Sequence, residues 1–197
     1  MAAADNELVY LENANQLKDW MEAGCKPVKD WRIGTEHEKF GFRTNDHTPL
    51  PYAGPDGIQA MLEGLMRFGW QGKYEGDVLV GLSRAGEAGG GSVTLEPGGQ
   101  LELSGAPLRN IHQTCAEVNT HLGEVRAVAA ELGQSYLGIG YAPSWGLEDA
   151  PQMPKGRYRL MTDYMPTRGT RGLEMMYLTA TVQVNLDYGS PADMVEK

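Results

Sequence analysis

The sequence lacks several features that would place it in a common class of protein. It has only two cysteines, Cys25 and Cys115, which is too few for a disulfide framework and is typical of a reducing compartment. No apolar run approaches the roughly 18 residues that a membrane span needs, and the first residues lack the basic and apolar stretches of a secretion signal. We therefore expect two free thiols, no membrane partner and a cytoplasmic location.

An excess of basic residues is also missing. The chain carries 17 Lys and Arg residues against 26 Asp and Glu residues, which gives a formal net charge of -9. Nucleic-acid partners are held chiefly by clustered Lys and Arg, so none is expected. An anionic ligand such as a nucleotide would need a divalent cation, and Asp and Glu oxygens are the ligands that magnesium prefers.

The common nucleotide-binding motifs are absent as well. No Gly-Lys-Ser/Thr follows a glycine run, and Gly138-Ile-Gly140 lacks the third glycine and the following helix of a dinucleotide fingerprint. If ATP binds to this chain, it must do so on a different architecture.

Apolar spacing predicts two amphipathic helices in the first third of the chain. One spans 13–23 and ends at Gly24, where a left-handed turn is expected. The other begins at Asp56 as its cap and ends at Gly69, with a methionine-rich stripe facing the core.

The most regular apolar stripe lies between Arg109 and Gly133 and predicts a long helix, with Cys115 as a buried small apolar residue. A stripe of this kind also suits pairing between two chains, which would make the protein a homodimer. A stripe this wide more often packs on the sheet of its own chain.

Alternation of polar and apolar residues, bounded by Gly or Pro, predicts the strands. They are 31–42, 92–95, 100–104, 135–141 and 178–188. The short turn at Pro97 joins two of them as an antiparallel pair, and the run Gly86–Gly91 is read as a flexible hairpin loop. The fold class expected is α+β, with a mostly antiparallel sheet.

Carboxylates alternate along the first predicted strand. The period of two puts Glu36 and Glu38 on one side of it, roughly 7 Å apart. Two such charges repel unless the face is solvated or a cation lies between them. Taken alone, the pair favours a solvated face, because carboxylates are rarely buried.

Two further strands repeat this design. One of them places Gln100, Glu102 and Ser104 opposite its leucines. The other places Thr179, Thr181, Gln183, Asn185 and Asp187 opposite Ala180, Val182, Val184 and Leu186. If the three strands are neighbours, one sheet surface packs on helices and the other offers carboxylates, amides and hydroxyls to a polar ligand and metal ions.

A basic segment, Lys155–Arg171, follows a long loop. Its arginines suit the recognition of carboxylates, because a guanidinium donates two parallel hydrogen bonds. An exposed basic helix side with a glycine-containing loop explains Arg159, Arg168 and Arg171 equally well. The histidines have no ligand-like spacing and are taken as structural.

Three segments resemble plant and proteobacterial glutamate–cysteine ligases. They are Trp31–Phe42, Leu95–Pro107 and Thr181–Asp187, and further agreement extends the resemblance over nearly the whole chain from about Gly24 onward. The resemblance implies a fold similar to the catalytic domain of glutamine synthetase, a curved antiparallel sheet whose concave surface holds magnesium, ATP and glutamate. It also implies that 1–197 is the N-terminal part of one catalytic domain whose C-terminal remainder is missing.

The activity implied is the ATP-dependent joining of the glutamate side-chain carboxylate to the cysteine amine. By resemblance, the magnesium ligands are Glu36, Glu38, Glu96 and Glu102, the residues near metal or nucleotide are Gln183 and Asn185, and the amino-acid contacts are Arg157, Tyr158 and Met165. Two other functions stay open at this point. One is a related ligase with another amine acceptor, and the other is a binding module without catalysis.

Overall fold

The computed structural model describes residues 10–86 and 90–197, and these residues form two compact units. One unit combines 10–32 with 186–197, and the other comprises 33–185. The assignment of 1–197 to the N-terminal part of one catalytic domain stays a prediction. The loop predicted at Gly86–Gly91 lies largely outside the described residues.

The described residues contain six α-helices and seven β-strands. The helices are α1 Ala14–Ala23, α2 Ile58–Leu65, α3 Ile111–Leu132, α4 Gly156–Tyr164, α5 Gly172–Leu178 and α6 Pro191–Glu196. The strands are β1 Ile33–Arg43, β2 Gln71–Glu75, β3 Val78–Arg84, β4 Gly91–Leu95, β5 Leu101–Ser104, β6 Gln134–Leu137 and β7 Val182–Leu186.

The strands form one open sheet in the order β2-β3-β4-β5-β1-β6, and β7 also pairs with β1. The pairs along this path are antiparallel, so the expected α+β fold with a mainly antiparallel sheet is confirmed. The three strands with polar faces are neighbours, because β1 pairs with both β5 and β7. This adjacency could not be read from the sequence.

The main core lies between the sheet and the helices α2 and α3. Its fully buried residues include Met61, Leu62, Leu82, Val93 and Leu101. The methionine stripe of α2 is thus core at Met61, as predicted. A smaller apolar cluster joins Met176, Tyr177 and Leu178 of α5 to Phe40 of β1. Because Phe40 follows Glu38 by two residues, α5 packs on the sheet face that carries the carboxylates.

Two helix ends differ from the sequence predictions. Gly24 closes α1 in a right-handed conformation, with φ at -74°, so the predicted left-handed turn is wrong. The cap of α2 is Gly57, because the carboxylate of Asp56 forms an ion pair with Arg43 at 2.6 Å and does not cap the helix. Gly69 does adopt a left-handed conformation, with φ at 89°.

The long helix α3 ends at Gly133 as predicted, and the predicted apolar stripe is buried at Val125 and Ala129. His121, Val125 and Val128 face inward, whereas Cys115 is exposed, so its predicted burial is wrong. Both cysteines are free thiols. In the ranges that the structure describes, no helix combines the length and the apolar character needed to cross a bilayer.

Several strands differ in extent from their predictions. The hairpin β2–β3 was not predicted, and β6 ends at Leu137, before the predicted end at 141. The last strand begins at Val182, because the apolar run before it forms the end of α5.

The strand β7 is uncovered on its apolar side. Val182 is 72 % exposed, Val184 58 % and Leu186 50 %, so the expectation that these residues face the core is wrong in this chain. Within the residues that the structure describes, β7 pairs with β1 alone. A row of exposed apolar side chains on such a strand is a surface that favours association.

We expect the 197-residue chain to associate as its concentration rises, and Val184→Lys to weaken that association by placing a charge in the exposed row. Sedimentation velocity over a concentration series measures the effect. Val28→Lys is the matched control, because Val28 is 70 % exposed and lies outside β7. A wild-type chain that stays monomeric throughout the series would contradict the prediction.

Candidate functional site

The pairing of β1 with β5 brings two predicted carboxylate groups together. In the antiparallel register, Glu38 lies opposite Glu102 and Glu36 lies opposite Ser104. On the other face of the same pair, Lys39 lies opposite Leu101, and Leu101 belongs to the core. The carboxylates therefore point to the side of the sheet away from the main core, as the alternation of the sequence predicted.

The strand β7 and Thr181, the residue before it, supply hydrogen-bond donors to the carboxylates of β1. Thr181 donates its backbone N–H to Glu38 Oε2 at 2.9 Å and its hydroxyl to Glu38 Oε1 at 3.2 Å. Gln183 donates to the Thr181 hydroxyl at 2.9 Å, and Asn185 donates to Glu36 Oε1 at 3.0 Å. The two amide residues singled out by resemblance thus support the carboxylates directly or through one hydroxyl.

Glu102 is the most buried of the four carboxylates, with 7 % of its surface exposed. Thr94 donates to one of its oxygens at 2.8 Å and Ser104 to the other at 2.6 Å. Uncharged hydroxyl donors on both oxygens hold the carboxylate in one orientation without neutralising its charge.

Glu96 lies against Glu102. Burial, the charge of Glu102 and a hydrogen bond between the two side chains raise the pKa of Glu96 to about 7. A hydrogen bond between two carboxyl groups requires a proton on one of them. Below about pH 7, this pair therefore holds a proton at a place that a metal cation could occupy.

Burial is also the main reason that the pKa of Glu38 is raised. The hydrogen bonds from Thr181 lower it in part, and the charges of Glu102 and Glu36 raise it. Directly behind this carboxylate, on the core side of β1, Lys39 donates to the backbone oxygen of His37 at 2.7 Å. Burial lowers the pKa of Lys39 to about 8, so its ammonium group loses a proton more readily than that of a solvated lysine.

A cavity of about 540 Å³ opens beside these groups. Its polar side is lined by Glu38, Glu96, Thr181 and Gln183. Its apolar side is lined by Met161, Met175 and Met176, which were not predicted as site residues. Such a cavity suits a small ligand with a charged end and an apolar or thiol-bearing end.

The predicted amino-acid segment lies at the start of α4. Arg157 is exposed and donates to the Tyr158 hydroxyl at 3.1 Å. Tyr158 itself is 3 % exposed, and its hydroxyl also donates to the Leu95 backbone oxygen. Of these two, only Arg157 presents a group to a ligand, while Tyr158 fixes α4 to the end of β4. Contacts of either residue with an amino acid stay a prediction.

Two other residues complete this region. Lys155 donates to the Leu95 backbone oxygen at 2.8 Å, and its charge opposes the rise in the pKa of Glu96. Lys155 was not singled out among the cations of its segment. Met165, predicted as an amino-acid contact, is half-buried against the apolar cluster that contains Phe40.

The carboxylates fit a magnesium ion that is held by one or two side chains and not by a full set of protein ligands. Within 10–86 and 90–197, no three His, Cys, Asp or Glu side chains converge closely enough to enclose an ion by themselves. Magnesium, however, is usually held by one or two carboxylates together with waters and substrate phosphates. The contact between Glu96 and Glu102, and the opposition of Glu38 to Glu102, supply such pairs.

The chain is similar to glutamate–cysteine ligases of plants. It is 54 % identical over 182 residues to the enzyme of Nicotiana tabacum and 55 % identical over 179 residues to that of Arabidopsis thaliana. These matches cover 92 % and 90 % of this chain but 34 % and 33 % of the two relatives. The chain thus spans about a third of the length of the relatives that it matches.

These comparisons correct one prediction. The relatives are named as chloroplastic enzymes, so the predicted cytoplasmic location is wrong. A low cysteine count is typical of any reducing compartment, and it therefore could not tell one such compartment from another.

The model of glutamate-cysteine ligase family 2 matches residues 32–197. This range contains β1, β5 and β7, with all four carboxylates and the donors that hold them. The match extends over most of the chain, and the resemblance found in the sequence motifs is confirmed. The chain belongs to glutamate-cysteine ligase family 2.

Proposed function

We propose that this chain contributes the metal-binding sheet of a glutamate–cysteine ligase, which carries out the first step of glutathione biosynthesis. In this reaction the glutamate side-chain carboxylate attacks the terminal phosphorus of ATP, which releases ADP and forms an acyl phosphate. The amine of cysteine then attacks the acyl carbon, the amide bond forms, and phosphate leaves. The substrates are therefore glutamate, cysteine and ATP.

The observation that carries this proposal is the single sheet face on which Glu38 and Glu102 oppose one another in a chain of this family. Glu36 and Glu96 extend the same acidic surface, as the hydrogen bonds and charge effects among the four groups indicate. When bound there, magnesium would neutralise and align the phosphates of ATP. The protein's own task is then to hold the carboxylates in place before the substrates arrive.

Hydrogen bonds from Thr181, from β7 and from β4 hold the carboxylates in place. Thr181 and Asn185 fix the carboxylates of β1, and Thr94 fixes Glu102. Arg157 is suited to the α-carboxylate of an amino acid, because it is exposed at the start of α4 and its guanidinium is planar. The cavity between α5 and the carboxylates would shield the acyl phosphate from water.

An ATP-dependent ligation assay of the intact protein tests the proposal. We expect ADP release that requires glutamate, an amine acceptor and magnesium, with cysteine the best acceptor. A better rate with another amine would assign the protein to a related ligase instead. Absence of turnover with every amine would favour a binding module without catalysis.

We expect Glu36→Gln, Glu38→Gln and Glu102→Gln each to abolish ligation while leaving the fold intact, because charge for the cation is lost without loss of volume. Ligation rates over a magnesium titration, with circular dichroism as a check of folding, measure this. Glu63→Gln, at an exposed position of α2, is the control. Unchanged rates and magnesium titrations in all three variants would show that this face is merely solvated.

The raised pKa of Glu96 predicts a pH dependence of stability. Its pKa is about 7 in the folded chain against the ordinary value of 4.5, so the folded state holds the proton more tightly. Its stabilising contribution is complete below about pH 4.5 and is lost as the pH rises through about 7. We expect Glu96→Gln to gain on the order of 1–2 kcal/mol relative to wild type between pH 5 and pH 8 without metal.

Urea unfolding of both proteins in chelator measures this difference. The comparison of the two proteins is needed because burial lowers the pKa of His121 from 6.5 to about 3. That shift makes both proteins more stable as the pH rises toward 6.5, which overlaps the lower part of the range measured. Magnesium should restore the stability of the wild type at pH 8, because the cation takes the place of the proton that Glu96 has lost. A constant difference between the two proteins from pH 5 to pH 8 would mean that Glu96 is not perturbed.

Arg157→Ala is expected to raise the Michaelis constant for glutamate or cysteine by about tenfold or more while changing that for ATP much less. The reason is that a lost guanidinium removes a paired hydrogen bond to a carboxylate. Arg157→Lys should restore only part of the affinity. Steady-state kinetics with each substrate varied in turn measure these constants, and an equal rise for all three would assign Arg157 a structural role.

A further inference from the structure

A buried glutamine lines the cavity together with the carboxylates and the methionines. Gln100 immediately precedes β5 and stands between Glu96 and Glu102 in the chain. Only 1 % of its surface is exposed. In a side-chain amide buried this deeply, each polar atom that stays unpaired costs free energy.

The amide nitrogen of Gln100 finds partners at the end of α5. It donates to the backbone oxygen of Thr179 at 2.6 Å and to that of Met176 at 3.3 Å. Carbonyl groups at the end of a helix lack partners within the helix. Gln100 therefore closes α5 at the point where the chain leaves the helix toward β7.

The turn before Gln100 makes a second attachment to the same place. Gly98 lies so close to the backbone oxygen of Tyr177 that a β-carbon at this position would collide with it. Gly98 and the amide of Gln100 thus attach the β4–β5 turn to the α5–β7 junction. The oxygen Oε1 of Gln100 has no partner within the described part of the protein.

This junction leads directly into the site. Thr181, which follows Thr179 by two residues, gives its N–H and its hydroxyl to Glu38. Met175 and Met176, at the end of α5, form the apolar wall of the cavity. The position of one junction therefore fixes both a carboxylate and the wall that faces it.

We propose that Gln100 is a positioning residue of the ligase site. It ties the α5–β7 junction to β5, so that Thr181 meets Glu38 and the methionine wall faces the carboxylates. The effect on turnover rests on the proposed function, whereas the effect on the contact between Thr181 and Glu38 does not.

Gln100→Met tests this role, because methionine has a similar length and flexibility but no N–H donor. The chain offers a matched control in Gln134, which is 4 % exposed and donates to the backbone oxygens of Asp56 at 2.9 Å and Gly57 at 3.1 Å. Gln134 pairs with Arg43 at the far end of β1. Gln134→Met removes the same kind of hydrogen bonds away from the site.

The first readout is amide hydrogen exchange, measured by NMR on this chain. We expect the Thr181 amide to exchange about tenfold faster in Gln100→Met and at the wild-type rate in Gln134→Met. The second readout is kinetics of the intact protein. We expect kcat to fall about tenfold or more in Gln100→Met, with a raised magnesium requirement, and to stay near wild type in Gln134→Met.

The proposal would be overturned if Gln100→Met and Gln134→Met lost equal stability and showed equal exchange of the Thr181 amide and equal kcat. Gln100 would then be an ordinary buried amide. Slow exchange of the Thr181 amide in Gln100→Met would overturn it as well. If wild-type protein joins no amine to glutamate, the proposed function fails, and the exchange measurement still decides the role of Gln100.

Discussion

The antiparallel register of β1 against β5 places Glu38 directly opposite Glu102, and the structure around the site responds to that placement. Like charges opposite one another on adjacent strands destabilise a sheet, and burial of Glu102 leaves little water to screen them. Hydroxyl donors from Thr94, Ser104 and Thr181 orient the oxygens, and below about pH 7 a proton on Glu96 removes one charge. None of these groups brings a full positive charge to the face.

A divalent cation is the group that would remove the remaining repulsion. The strand β1 separates two environments, because Glu36 and Glu38 lie on the face away from the main core, whereas Lys39, on the other face, lies opposite the core residue Leu101. Lys39 therefore lies on the wrong side to pair with the carboxylates, although the charges of Glu102 and Glu38 act on it and oppose the fall in its pKa. On the proposed function, the acidic face would take metal-bound phosphates and Arg157 would take a substrate carboxylate.

The sequence was sufficient for features that depend on local geometry and insufficient for those that depend on distant contacts. A strand allows Glu36 and Glu38 only one relative placement, so their shared face followed from spacing. The burial of Cys115 in α3 was misjudged, because the residues that α3 packs against lie in α2 and in the sheet. The apolar run ending at Leu178 suits a strand or a helix by composition, and packing with Phe40 decided for a helix. The contact of Gln100 with Thr179 joins residues far apart in the chain and left no local signal.

The most direct test of this account is the location of the cation. Crystals of the intact protein grown with manganese in place of magnesium would show the ion by its anomalous scattering. The account predicts a peak bound by oxygens of Glu38 or Glu96 together with Glu102, with Thr181 still hydrogen-bonded to Glu38. A manganese ion bound elsewhere, with these carboxylates contacting only water, would contradict it.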